Sequence, residues 1–123
     1  MDYKEELTKA MTMLADKPAT IFLGQSVAYS GQAMFPTLAG VPMGKRIELP
    51  IMEDTQMGMS IGLSLMGYVP ISIYSRMDFL LLAMNQLVNH LDKIATMSHG
   101  EFIPKVIIRT MVGSKTPLDG GLQ

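Results

Sequence analysis

The chain has 123 residues, a net charge of −1 and no cysteine, with 48% hydrophobic and 17% charged residues. That describes one domain around one core, without the basic surface that nucleic acid or an anionic membrane requires and without thiols for disulfides or metal. The start, Met1-Asp2-Tyr3-Lys4-Glu5-Glu6, is too acidic for a secretory leader, and no apolar run approaches the roughly 18 residues of a membrane span, so a cytoplasmic protein is expected.

Residues 2–15 predict an amphipathic helix, because Tyr3, Leu7, Ala10, Met11 and Leu14 recur at three- and four-residue spacing. Asp2 followed by Glu5 has the form of a capping box, and Lys17-Pro18 ends the helix. Residues 19–23 predict a buried strand stopped by Gly24. Residues 24–44 hold scattered Gly and Pro with little periodicity and read as a long loop, a length that is uncommon without a function. Residues 46–49 predict a second strand and 54–67 a helix carrying Gly58 and Gly62, with Ser60 and Ser64 offset by two, a spacing suited to close packing on the sheet or on a partner helix. Residues 68–74 predict a third strand, 79–97 a long helix capped by Asp78, and 105–110 a fourth strand before a Gly/Pro-rich tail.

Strands separated by helical stretches require crossovers, so the expected fold is α/β, three layers around a mostly parallel sheet. The 79–97 helix is apolar almost all round, and a second subunit is the natural cover for it. Thirteen methionines are far more than usual. Met11, Met57 and Met84 fall at helical apolar positions, which favours adaptable core filling over a soft ligand or partner surface.

Chemistry concentrates in Glu48-Leu49-Pro50-Ile51-Met52-Glu53-Asp54-Thr55, where a strand turns into a helix N-terminus. Open α/β sheets place ligands at such turns, and the helix end favours anionic side chains. On pattern alone Glu53 is an ordinary first-turn carboxylate. His90 reads as a rim histidine on a packed helix and His99 as a loop residue, neither with a second metal ligand at suitable spacing. Gly24-Gln25-Ser26-Val27-Ala28-Tyr29-Ser30-Gly31 lacks the lysine of a phosphate loop and the dinucleotide spacing, and no serine nucleophile elbow is present.

An ordered set of motifs points further. It runs Tyr3-Lys4-Glu5-Glu6-Leu7, Gly24-Gln25-Ser26-Val27, Arg46-Ile47, Pro50-Ile51-Met52-Glu53, the small-residue helix to Gly67, Met77-Asp78-Phe79, Asn85-Gln86-Leu87-Val88-Asn89, Met97-Ser98-His99-Gly100, Pro104 and Ile108-Arg109-Thr110. With these motifs the chain resembles the N-terminal part, some two-thirds, of the pyrimidine-binding (transketolase-like) domain of thiamine-diphosphate enzymes. Within them it is most similar to the beta subunit of the decarboxylating component of 2-oxo-acid dehydrogenases (pyruvate, branched-chain, acetoin). The resemblance implies that Glu53 is catalytic, hydrogen-bonding the aminopyrimidine ring of thiamine diphosphate and exchanging a proton with it. It implies that Phe79 packs on that ring, that Leu49, Pro50 and Met52 line the pocket, and that Ser75 lies near the cofactor. Asp54 would then serve as the helix cap. The diphosphate and its Mg²⁺ would be held by an alpha-type partner subunit, with no metal ligand from this chain.

Several positions depart from the family pattern. Gln25 and Ser26 stand where an acidic pair is usual, Ser75 and Arg76 where Gln-Phe is common, and Asn85 where an aspartate is common. The family's histidine would follow Gln123, so the domain is read as truncated at its C-terminus. Two readings stay open: an oxidoreductase subunit that activates thiamine diphosphate for oxidative decarboxylation of a 2-oxo acid, and a non-catalytic homologue acting through assembly, homo- or hetero-oligomeric. A transketolase-like half-enzyme is a weaker third.

Overall fold

A computed structural model describes residues 2–113. The Gly/Pro-rich tail, beyond Gly113, lies outside the described residues. Four short apolar runs become strands: β1 (Thr20–Gly24), β2 (Arg46–Glu48), β3 (Val69–Ile73) and β4 (Ile107–Arg109). All pairs are parallel and the order is β2-β1-β3-β4, so the sheet grows outward from β1 in both directions. Parallel pairing follows from the connections, each of which must carry the chain back to the starting end of the sheet. In register, Phe22 faces Arg46 and Ile71, and Ile73 faces Gly24 and Arg109.

Alternation along the strands divides the core in two. On one face Phe22, Ile71 and Ile73 pack with Met11 and Ala15 of helix α1 (Tyr3–Ala15) and with Val27, Met34, Leu38 and Val41 from the 24–44 segment. On the other, Tyr74 and the half-buried Ile108 pack with Met57 and Ile61 of helix α2 (Glu53–Leu65) and with Leu80 and Ala83. The α/β class and the parallel sheet expected from the alternating pattern are therefore present. Met11, Met34 and Met57 are buried in these clusters, whereas Met66 and Met97 are exposed. Methionine thus fills the core and also covers surface.

At the start of α1 the Asp2 carboxylate accepts the Lys4 N–H at 3.0 Å, a plain N-cap. The reciprocal bond expected from Glu5 does not form among the described residues, so only half of the capping box exists. The 24–44 segment differs more from expectation. It folds into two short 3₁₀ turns, Phe35–Leu38 and Met43–Lys45, and is packed rather than loose. Two side chains of β2, two residues apart and so on one side of the strand, hold it. The Arg46 guanidinium donates to the carbonyls of Val27 (3.0 Å), Leu38 (2.6 Å) and Val41 (2.6 and 3.1 Å), and it lies over the Phe35 ring. The Glu48 carboxylate accepts three consecutive backbone N–H groups, of Ser26 (2.5 Å), Val27 (2.9 Å) and Ala28 (2.7 Å). Ser26 reaches this geometry with φ at +55°, in the left-handed region.

The long helix expected at 79–97 is a broken run. It comprises α3 (Met77–Leu80), a 3₁₀ turn (Leu81–Ala83), a π-helical stretch (Gln86–Leu91) and α4 (Ile94–Met97). Leu80 and Ala83 are buried, Leu87, Leu91 and Ile94 half-buried, while Leu81 and Leu82 stay 59% and 62% exposed. Too many apolar residues for one face is what the sequence pattern announced, and the sheet covers only part of them. Packing of α2 on the sheet, one of the two uses expected for its small residues, runs through serine rather than glycine. Ser60, which is buried and donates to the Gln56 carbonyl, occupies the packed side of α2, and a Cβ added at Gly62 would meet open space.

Two substitutions test this account. Glu48→Ala strands three N–H donors and is expected to cost about 3 kcal/mol in urea unfolding, with Glu48→Gln recovering part of it. Gly24 has φ +151°, and a Cβ there would collide with the Ile73 carbonyl. Gly24→Ala should therefore lose at least about 2 kcal/mol by the same assay.

Candidate functional site

Beyond β2 the chain makes one more sheet contact, from the Leu49 N–H to the Gly24 carbonyl at 3.0 Å, and Leu49 is buried. Pro50 and Ile51 then run along the surface to Met52, the N-cap of α2. Met52 offers no capping side chain, and its carbonyl accepts the Gln56 N–H at 2.8 Å. The first-turn N–H groups are thus served by the nearby negative charge of Glu53 and Asp54. Asp54, expected to cap the helix, instead lies within its first turn, exposed, and accepts the Gln86 side-chain amide at 3.4 Å. A cap must precede the first helical residue, and Met52 occupies that place.

Glu53 is half-buried, and its carboxyl takes no hydrogen bond among the described residues. Its backbone is engaged instead: the Tyr74 hydroxyl donates to the Glu53 carbonyl at 3.4 Å. Tyr74 follows β3 directly and is only 2% exposed. Burial pushes its phenol up to about 12, with a hydrogen bond from Ser72 opposing and the charges of Glu53 and Asp54 adding to the rise. Tyr74 was not among the residues expected in the site. The available signal was an aromatic residue at the carboxyl end of a core strand, next to Ser75. One helical turn from Glu53, the buried Gln56 amide donates to Ser72 Oγ (3.1 Å) and to the Ile73 carbonyl (3.0 Å), fixing α2 against β3.

The strand order turns at β1, which has β2 on one side and β3 on the other, and α2 begins at the carboxyl ends of these strands. Such switch points are where open α/β sheets place ligands. Glu53 meets Tyr74 there; Leu49 is buried and Met52 half-buried just before it in the chain, while Pro50 is exposed. Ser75 is half-buried just past Tyr74, and Phe79 is 37% exposed with the Arg76 guanidinium 5.8 Å from its ring centre. His90 is exposed on the π-helical stretch, and His99, also exposed, takes φ +54° in the turn after α4. Among the described residues no group of three or more His, Cys, Asp or Glu side chains could hold a metal, and no helix is long and apolar enough to cross a membrane.

Tyr74 carries a pH signature. Its phenol ionises more easily in the unfolded chain, near its ordinary value of 10, than in the folded one. Its contribution to stability is therefore complete below pH 10 and is lost as the pH rises toward about 12. Tyr74→Phe should flatten the fall in unfolding free energy across that window.

No family model matches the chain. Curated relatives do. It is 33% identical over 85% of its length to a pyruvate dehydrogenase E1 component subunit beta from Cyanidium caldarium, covering 33% of that protein. It is 31% identical over 79% of its length to a 3-methyl-2-oxobutanoate dehydrogenase subunit beta from Mycobacterium tuberculosis, covering 28% of it. To the 2-oxoisovalerate dehydrogenase subunit beta of Bacillus subtilis it is 26% identical over 92% of its length, covering 36%. The chain spans about a third of the length of these relatives.

Proposed function

The homologues of this chain are beta subunits of pyruvate and branched-chain 2-oxo-acid dehydrogenases, and from that kinship we infer that it supplies the pyrimidine-facing half of a thiamine-diphosphate site. An alpha-type subunit would complete the site and hold the diphosphate and Mg²⁺. The observation that carries the reading is the Glu53 carboxyl, half-buried at the switch point and bonded to no group among the described residues. A carboxyl in that state fits a ring nitrogen that needs a proton donor and acceptor beside it. Phe79, partly exposed behind Arg76, fits the flat partner that the ring would need.

When bound, thiamine diphosphate supplies the carbon nucleophile and the electron sink for decarboxylation of a 2-oxo acid. The chain's own part is positional and protonic. Tyr74 pins the backbone of the first turn of α2, so the Glu53 carboxyl leaves the helix from a fixed point. Gln56 holds the next turn to β3 and prevents the helix from sliding along the sheet. With the partner subunit in place, Leu49 and Met52 would help keep water from the carboxyl, so that Glu53 would hold or release one proton toward the pyrimidine nitrogen. Ser75, next to Tyr74, borders the same space.

The decisive variant is Glu53→Gln, assayed with the alpha-type subunit. Decarboxylation of 2-oxo acids should fall by about a hundredfold or more while assembly is retained, because the amide cannot exchange the proton. An unchanged rate would remove the catalytic role. The exposed Leu81 and Leu82 favour the second reading, action through assembly. Under that reading Glu53→Gln is silent, and Leu81→Lys with Leu82→Lys shifts the size of the complex in light scattering.

A further inference from the structure

A cavity of about 690 Å³ lies on the α1 side of the sheet, where the first turn of α1 meets the carboxyl end of β4. Its volume is that of a small-molecule site. The walls are mainly apolar, with Met11, Met34 and Met111 among them. Its charged lining, among the described residues, is of one sign: Lys4 and Arg109 border it and no carboxylate does. Among the described residues, Arg109 Nη1 and Thr110 Oγ1 are buried without a hydrogen-bond partner. Both atoms are shut off from solvent. The rest of the half-buried Arg109 side chain, which borders the cavity and makes no hydrogen bond among the described residues, offers donors to a ligand that accepts hydrogen bonds. Glu53 belongs to the opposite layer, on α2, so this cavity is separate from the switch-point site.

We propose that this cavity binds a small aliphatic monocarboxylate. The carboxylate meets the Arg109 guanidinium, with Lys4 adding charge at the rim. The hydrocarbon tail lies against the methionines, whose flexible thioethers adapt to tails of differing shape. A neutral tail lacks the partner for Arg109, and a carboxylate without a tail forgoes the apolar wall, so both parts are needed for recognition.

The same methionines report on it. In the full chain labelled with ¹³C at the methionine methyls, hexanoate should shift Met11, Met34 and Met111 and leave the exposed Met66 and Met97 in place. Hexanol and acetate should bind at least about tenfold more weakly than hexanoate, the loss of one charge-assisted interaction or of the tail. Arg109→Gln should weaken hexanoate by about tenfold and leave hexanol unchanged. Lys4→Gln, on an exposed first turn, tests the charge without touching the sheet, and should weaken hexanoate by about two- to threefold. Hexanol binding as tightly as hexanoate, or an absence of shifts at Met11 and Met34, would overturn the proposal in the unmodified chain, whatever the folding of the variants. Neither outcome depends on whether Glu53 proves catalytic.

Discussion

The fold rests on an exchange between a three-residue edge strand and a segment that makes no strand or α-helix of its own. Residues 24–44 leave β1 and must return to start β2, and nothing periodic in them dictates the path. Their carbonyls and N–H groups are gathered from β2, the carbonyls by Arg46 and the N–H groups by Glu48. Each charge is met by several backbone dipoles rather than by a single opposite charge, which spares the cost of a buried ion pair. Val27, Met34, Leu38 and Val41 can then complete the core on the α1 face, where the sequence offers no second helix.

The same strand leads to the candidate site five residues on. With β2 held at Glu48, Leu49 joins the sheet and Met52 starts α2, so the place of Glu53 is set from behind. Tyr74 and Gln56 set it from the side of β3. The family pattern has an acidic pair where Gln25 and Ser26 stand. In this chain the negative charge at that loop comes from Glu48, reaching across from β2 to the Ser26 N–H. The candidate site is thus framed by backbone and side-chain contacts from β2 and β3 around Glu53.

How much of this was legible depended on the range of the forces. The strands, α1 and α2 announced themselves through local periodicity and stops such as Gly24 and Pro18, and their observed bounds lie within a residue or two of those expected. The π-helical Gln86–Leu91 stretch did not, since uniform apolar content leaves no single period to read. The packed state of 24–44 was hidden because it depends on Arg46 and Glu48, which lie from 5 to 22 residues along the chain from the groups they bind. Glu53 stood out through the order of motifs around it. Tyr74 and Gln56, which hold its helix, look like ordinary strand and helix residues until β3 and α2 are placed side by side.

The Glu48 contact also has a dynamic consequence. Three adjacent amides share one carboxylate, and that carboxylate sits on an edge strand of three residues. Loss of β2 from the sheet therefore releases Ser26, Val27 and Ala28 in the same event, and the segment cannot fray from one end residue by residue. The segment tied by these contacts between β1 and α2 is expected to open as one unit, below the free energy of global unfolding. The α1-side cover of the sheet is then present or absent as a whole.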